Sequence, residues 1–342
     1  MADRDALIRA FLARVGWGAA ARREIAGDAS ARRYERLIGD AGQSAILMDA
    51  DPAKGEDIDR FQQVARHLTS LSLSAPAILA ADSVNGFLLL EDLGDAVFAR
   101  LIEAEPSREK ELYDGATDLL LTLHQHPAPE WLVRFTPQLM TEQAGFAYSW
   151  YMRGAVDADT AGAAELRALP VLHALLNSHA AQSDVMILRD YHSENVIWLP
   201  ERTDAARVGL LDFQDALAGH RAYDLVSFLQ DVRRDVTPEV ATSQIDRYAN
   251  AAGLDIDAFS ASCAVLGLQR NLRILGVFAR LSLVAGKSDY IDLIPRVWAH
   301  IESAFDHPAL RPARAELIGA LPPPSPEILL RLKDQCPTTP TP

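Results

Sequence analysis

The chain has 342 residues, 49% hydrophobic and 23% charged, a globular composition with length enough for one two-lobed domain or two small ones. Lysine and arginine number 33 against 47 acidic residues; the net charge of −14, with no basic run, argues against general nucleic-acid binding. No stretch approaches the ~18 consecutive apolar residues of a spanning helix, and the two cysteines, Cys263 and Cys336, read as free thiols of a reducing cytoplasm.

The N-terminal MADRDALIRAFLARVGW lacks the apolar core and cleavage site of a secretion signal. Leu7, Ile8, Phe11, Leu12 and Val15 recur at helical spacing, which predicts an amphipathic helix over 5–15. Residues 34–38 and 44–49 read as strands around the turn Gly39-Asp40-Ala41-Gly42. A helix is expected over 56–70, with Ile58, Phe61, Val64, Ala65 and Leu68 inward and Glu56 and Asp57 suited to its dipole. Two more strands follow over 77–81 and 87–90. From Asp95 the pattern is mainly helical, with helices expected over 108–125, 137–153, 223–232, 238–251, 256–284 and 290–305. His124 and His126 lack the further ligands of a metal site and read as a helix-end and a surface residue. The tail from Leu321 has room for one short amphipathic helix before a segment expected to be disordered.

The most informative stretch runs from Val185 to Asp231. Residues 185–188, 195–199 and 208–211 read as short buried strands, with Asp190 just past the first, Asn195 opening the second and Asp212 closing the third. The loop is Arg189-Asp190-Tyr191-His192-Ser193-Glu194-Asn195, and the third strand runs into Asp212-Phe213-Gln214. A lone D-x-x-x-x-N is a weak pattern; the strands, the Asp-Phe dipeptide and the helix after it make it specific. Together they resemble the catalytic core of the kinase-like phosphotransferases. The resemblance implies ATP as phosphoryl donor, Asp190 as the base that orients the acceptor hydroxyl, and Asn195 and Asp212 as oxygen ligands of Mg2+. Such a reaction needs positioning and charge neutralisation more than covalent help.

Two departures point away from protein kinases towards the aminoglycoside-phosphotransferase-like branch: His192 follows Asp190 by two residues, and Gln214 stands where D-F-G has glycine. The implied fold is α+β, protein-kinase-like and two-lobed. A small antiparallel-sheet N-lobe would cover residues 1–92, a larger mainly helical C-lobe 93–320, and a Pro-rich tail 321–342. Backbone groups near Glu91 and Leu93 would hold adenine at the hinge. The turn over 27–32 would cover the phosphates, with Ser30, Arg32 and Arg33 as donors and cations. The lysine expected at the end of the third strand is replaced by Met48, and Lys54 is the only lysine before residue 110. That leaves Lys54, Arg32 or Arg33 to grip the phosphates. The segment Arg221-Ala222-Tyr223-Asp224-Leu225 resembles one whose Asp hydrogen-bonds the catalytic loop, making Asp224 structural.

A narrower resemblance rests on Gly27-Asp28-Ala29-Ser30, Glu91-Asp92-Leu93-Gly94-Asp95, Leu211-Asp212-Phe213-Gln214-Asp215-Ala216 and the segment from Gln269 to Leu281. These are similar to the bacterial cell-wall sugar kinases over roughly residues 20–310. That family phosphorylates the anomeric hydroxyl of N-acetylmuramic acid and N-acetylglucosamine in peptidoglycan recycling. Aromatic faces stack on sugar rings and carboxylates bind hydroxyls, which makes Trp150, Tyr151 and Glu142 sugar-site candidates, with core packing the other reading of the two aromatics. His192, Arg233, Gln269 and Arg270 complete the candidate set; Gln269, Arg270 and Arg273, at helical spacing, either reach the substrate's lactyl carboxylate or stabilise helix packing. Two other readings stay open: an aminoglycoside, choline or other small-alcohol kinase, and a catalytically dead nucleotide-binding module. Met48 prompts the second, and intact Asp190, Asn195 and Asp212 oppose it. The expected partners are ATP and an amino sugar, for a cytoplasmic monomer with no nucleic acid and no membrane.

Overall fold

The computed structural model describes residues 4–25 and 32–337. The chain packs as two compact units. One runs to Leu123 and takes in Ser193–Ala216; the other is His124–His192 together with the chain from Leu217.

In the first unit, helix α1 (Arg4–Arg14) is followed by strands β1 (Ala21–Ile25), β2 (Arg33–Ile38) and β3 (Ser44–Asp49). Helix α2 (Asp59–Ser70), strands β4 (Ile78–Asp82) and β5 (Phe87–Glu91), and helices α3 (Phe98–Ala104) and α4 (Glu109–Leu123) come next. The strands form one antiparallel sheet in the order β1-β2-β3-β5-β4. Alternate residues Leu37, Ala45, Leu47, Phe87 and Leu89 cluster with Ile8, Phe11 and Leu12 of α1, as the two-residue strand period requires. The even-numbered Met48, Leu88 and Leu90 are buried on the opposite face. Helix α2 starts three residues later than the sequence pattern suggests. The Asp57 carboxylate accepts the Asp59 N–H at 2.7 Å, which frees Glu56 from the helix.

The chain then enters the second unit with α5 (Pro137–Ala144), a π-helical turn (Ala147–Met152), α6 (Arg153–Ala155), α7 (Ala158–His179) and β6 (Val185–Ile187). The single helix expected over 137–153 is therefore broken, and the 22-residue α7 has no counterpart among the expected helices. The hairpin β7 (Val196–Trp198) and β8 (Val208–Leu210) belongs to the first unit. Strand β9 (Leu217–Gly219) returns to the second unit and pairs with β6. Helices α8 (Ala222–Leu229), α9 (Pro238–Ala251), α10 (Ile256–Leu283), α11 (Ile294–Ala304), α12 (Arg314–Ile318) and α13 (Pro326–Asp334) complete it. Seventeen of the 28 residues of α10 are buried, the mark of a helix packed on most sides. Helix α13 realises the short helix expected in the tail, with Leu332 buried; the segment expected to be disordered lies partly outside the described residues. Among the described residues no helix is long and apolar enough to cross a membrane.

Candidate active site

All three residues of β6 and Leu188 after them are buried, so the chain leaves the core only at Arg189. The Asp190 N–H donates to the Leu188 carbonyl at 2.9 Å, closing a three-residue turn about Arg189. Arg189 has φ 71°, a region that non-glycine residues rarely enter and that is costly to hold. The cost is met from α8. The fully buried Asp224 carboxylate accepts the N–H of Leu188 at 2.5 Å and of Arg189 at 2.9 Å. The Ser227 hydroxyl donates to the Arg189 carbonyl at 3.4 Å. Burial pushes the Asp224 carboxyl up, to about 7, against the pull of its two backbone donors. The turn that presents Asp190 is thus built from beneath, the structural role read for Asp224 in the sequence.

Beyond Asp190, Tyr191 is buried against Phe228, ring centroids 5.1 Å apart. His192 is lowered to about 4 by burial and by the Arg233 charge, with Asp231 opposing, so its imidazole is neutral near pH ~7. Arg270 on α10 is 7% exposed and donates to the Gln230 carbonyl at 3.2 Å. Burial pulls its guanidinium down, and the charges of Asp231 and Asp190 push back. Arg233 is exposed, with its backbone N–H on the Asp231 carboxylate at 2.9 Å. His192, Arg233 and Arg270 therefore share the electrostatic neighbourhood of Asp190 and Asp231. Asp231 was not among the sequence candidates: an acidic residue closing the run Phe228-Leu229-Gln230 reads as an ordinary helix end.

The other sugar-site candidates divide. Gln269 is fully buried and its amide donates to the Met140 carbonyl at 2.8 Å. Tyr151 is fully buried and donates to the Pro322 carbonyl at 2.7 Å. Trp150 is half-buried, with the Arg280 guanidinium 5.9 Å from a ring centroid. Glu142 is exposed and accepts the Gln138 amide at 2.7 Å.

In the first unit, β7 and β8 pair Val196 with Leu210, and the Leu211 N–H donates to the Asn195 carbonyl at 2.9 Å. Asn195 and Asp212 thus leave the same end of one hairpin. Asp212 has φ 53°, and the Gln214 amide donates to its carboxylate at 2.7 Å. Phe213 is buried against Phe61, ring centroids 4.9 Å apart. The glutamine that replaces the glycine of D-F-G therefore helps orient the aspartate. A carboxylate and an amide oxygen at one hairpin end are hard donors, few in number, and suit an ion such as Mg2+ that keeps several waters.

Ser30 lies outside the described residues. Arg33 is 56% exposed and contacts Asp49 at 2.6 Å, a carboxylate also held by Arg4 at 2.9 Å. Lys54 is exposed in the 3-10 turn Pro52–Lys54. Arg32, 13% exposed, meets Glu56 at 2.8 Å and hydrogen-bonds the Tyr34 hydroxyl. Tyr34 was not a candidate, since a tyrosine in a predicted strand reads as packing. The Glu91 N–H donates to the Ala77 carbonyl at 2.8 Å, and its carboxylate contacts Arg202 at 2.5 Å. The Leu93 side chain is buried. The Asp92 carboxylate accepts the Gly94 N–H at 3.0 Å and contacts Arg36 at 2.8 Å.

Residues 21–259 match the model of a phosphotransferase enzyme family, APH. An N-acetylmuramate/N-acetylglucosamine kinase of Caulobacter vibrioides is 39% identical over 351 aligned positions, covering 92% of this chain and 95% of the relative. A kinase of the same name from Pseudomonas aeruginosa is 30% identical over 312 positions, 88% of this chain and 89% of the relative. Among solved structures, choline kinase LicA from Streptococcus pneumoniae superposes with a TM-score of 0.64 at 12% identity, covering 87% of this chain and 99% of that one. That last likeness is one of fold.

Proposed function

The chain belongs to the APH phosphotransferase enzyme family, and on that premise we propose that it transfers the γ-phosphoryl group of ATP to the anomeric hydroxyl of N-acetylmuramic acid and N-acetylglucosamine, in peptidoglycan recycling. One observation carries the choice of substrate: likeness to the Caulobacter vibrioides amino-sugar kinase runs through 92% of the chain at 39% identity. The reaction itself is supported by Asp190, Asn195 and Asp212, each at the end of a short buried strand.

The Asp190 carboxylate accepts the proton of the acceptor hydroxyl as that oxygen bonds to the γ-phosphorus and the bond to the ADP oxygen breaks. The transition state is loose, so the proton moves late and Asp190 serves mainly to aim the oxygen. Mg2+ held by Asn195 and Asp212 would neutralise charge on the phosphate oxygens. Gln214 keeps the Asp212 carboxylate in place for that ion. Backbone groups near Glu91 and Leu93 take the adenine, and Ser30 lies in the segment assigned to the phosphates. Neutral His192 is suited to exchange hydrogen bonds with a sugar hydroxyl, while Arg233 and Arg270 bring positive charge to the lactyl carboxylate. Trp150 and Glu142 remain for the sugar ring. Gln269 and Tyr151, whose donors already bond backbone carbonyls, support these residues from the interior. In this reading the protein acts as a cytoplasmic monomer.

The anomeric hydroxyl is the most acidic hydroxyl of a free sugar, because the ring oxygen withdraws charge. Both sugars are expected to become 1-phosphates, with loss of the reducing end and phosphorus coupling to H1 by NMR. Their methyl glycosides, blocked at that oxygen, should bind without reacting. Turnover of the methyl glycosides, or a product that still reduces, would sink the anomeric assignment.

A further inference from the structure

Kinase-like folds neutralise the α and β phosphates of ATP with a lysine near the end of the third strand, paired with a glutamate from the neighbouring helix. Here Met48 stands at that point and is fully buried. The strand register decides which nearby cation can take its place. Tyr34 lies directly opposite Met48 in the β2–β3 pair, so the two side chains share a face of the sheet. Arg33, one residue earlier, points to the other face. There it contacts Asp49, which Arg4 of α1 also holds. Its charge is committed away from Met48.

Arg32 is placed differently. Its side chain is 13% exposed, and its Nε donates to Glu56 at 2.8 Å. It also hydrogen-bonds the Tyr34 hydroxyl, on the Met48 face. Burial pushes the Tyr34 phenol up, Arg32 pulls it back, and the charges of Asp212 and Glu56 push it further up. Asp212 is therefore near enough for its charge to act on the same hydroxyl. The Arg32–Glu56 pair thus stands beside the phenol that shares the Met48 face, and the charge of the carboxylate assigned to Mg2+ acts on the same phenol, all within the first unit. That is the set a triphosphate requires, with a guanidinium in place of an ammonium.

We propose that Arg32, oriented by Glu56 and Tyr34, is the cation that neutralises the ATP phosphates in place of the strand lysine. A guanidinium carries five N–H donors in a rigid fork. Glu56 takes the Nε edge, and the terminal nitrogens hold donors enough for both the Tyr34 hydroxyl and phosphate oxygens. A lysine could not serve both partners with the same geometry, which accounts for arginine here. Glu56 lies before the start of α2 and is held by Arg32. The proposal rests on the phosphotransferase reading and is independent of which sugar accepts the phosphate.

The test is ATP affinity, measured by calorimetry with Mg2+ and no sugar, on the full-length chain. The variants are Arg32→Gln, Arg32→Lys, Glu56→Gln and Tyr34→Phe. Arg32→Gln should weaken ATP binding by about tenfold or more, the scale of one charge-assisted contact. Arg32→Lys should recover part of the loss by keeping the charge without the fork. Glu56→Gln and Tyr34→Phe should each weaken binding less than Arg32→Gln does. Turnover at saturating ATP should leave the KM for the amino sugar unchanged in Arg32→Lys. Unchanged ATP affinity in Arg32→Gln, or a loss seen only in Arg33→Ala or Lys54→Ala, overturns the assignment. Failure of every amino sugar to react while ATP affinity follows this order would overturn the substrate reading and leave Arg32 standing.

Discussion

Asp224 holds the backbone of Arg189 in place: its carboxylate accepts the Arg189 N–H at 2.9 Å while Arg189 sits at φ 71°. The same carboxylate takes the Leu188 N–H at 2.5 Å, so both residues before Asp190 are pinned from α8. The rare backbone conformation exists because a fully buried side chain over-determines it.

Asp224→Ala would leave two buried N–H groups without their acceptor and release the turn. Stability should fall by roughly 2–6 kcal/mol, at about 1–3 kcal/mol for each orphaned group. Turnover should fall further, by about 10²-fold, because the acceptor is aimed by a group whose support has moved. ATP affinity should change little, since the charge contacts proposed for ATP lie on other segments. Steady-state kinetics and calorimetry on one preparation separate these effects. An Asp224→Ala enzyme with wild-type kcat would show that the turn holds itself.

Much of this was legible in the sequence, and for local reasons. The end of β6, the hairpin of β7 and β8, and the opening of α8 lie within one stretch of chain, so strand pattern and motif spacing converge there. The Arg33–Asp49 and Arg32–Glu56 contacts were not legible, because they depend on where β2 begins and on which face each neighbouring arginine takes. One residue of register exchanges the faces, and the sequence places both arginines next to the same turn. The break over Ala147–Met152 was hidden for a different reason. Its side chains bond partners far along the chain: Tyr148 donates to the Leu317 carbonyl at 2.5 Å and Tyr151 to the Pro322 carbonyl at 2.7 Å. A continuous apolar period predicts a continuous helix and carries no sign of partners about 170 residues away.

Buried histidines should make the second unit acid-sensitive. His124 donates from Nε2 to the Met186 carbonyl at 3.1 Å, since a carbonyl only accepts. In the neutral ring Nδ1 must then accept, and the Tyr248 hydroxyl donates to it at 2.7 Å. Burial lowers His124 to about 3, and lowers His192 and His220 to about 4. Each folded value lies below the ordinary value of 6.5, so the folded chain binds fewer protons in that window. Their contribution is complete above 6.5 and is lost as pH falls towards 4. Asp224, raised to about 7, runs the other way: its contribution is complete below 3.8 and is lost as pH rises through 7. His124→Phe removes one of the three histidines. It should cost about 1–3 kcal/mol near pH ~7, from the lost hydrogen bonds. Its deficit should shrink by roughly 1–2 kcal/mol near pH ~5, where wild type must keep His124 neutral against protonation. Urea midpoints of both proteins at the two pH values decide it; a deficit that stays constant or grows on acidification would rule out His124 as a contributor.

Two glycines make opposite predictions from the same substitution. Gly276 lies in α10 where the backbone of the π-helical region crosses it: a Cβ there would stand 2.1 Å from both the carbonyl carbon and the carbonyl oxygen of Phe146. Backbone atoms at that distance cannot yield as a flexible side chain would. Gly276→Ala must therefore push α10 away from Phe146, at about 1–3 kcal/mol or more for a close-packed contact. Trp150 sits in the adjoining turn, so the KM for the sugar should rise along with the loss of stability. Gly162 lies in α7, and a Cβ built there meets nothing within 4 Å. Gly162→Ala should therefore stabilise by about 0.5–1 kcal/mol, since alanine restricts the unfolded chain and favours helix. Chemical denaturation of the two variants should move the midpoint in opposite directions, with the sugar KM shifted only in Gly276→Ala. A Gly276→Ala protein as stable as wild type would mean that the approach of α10 to Phe146 is looser than 2.1 Å implies.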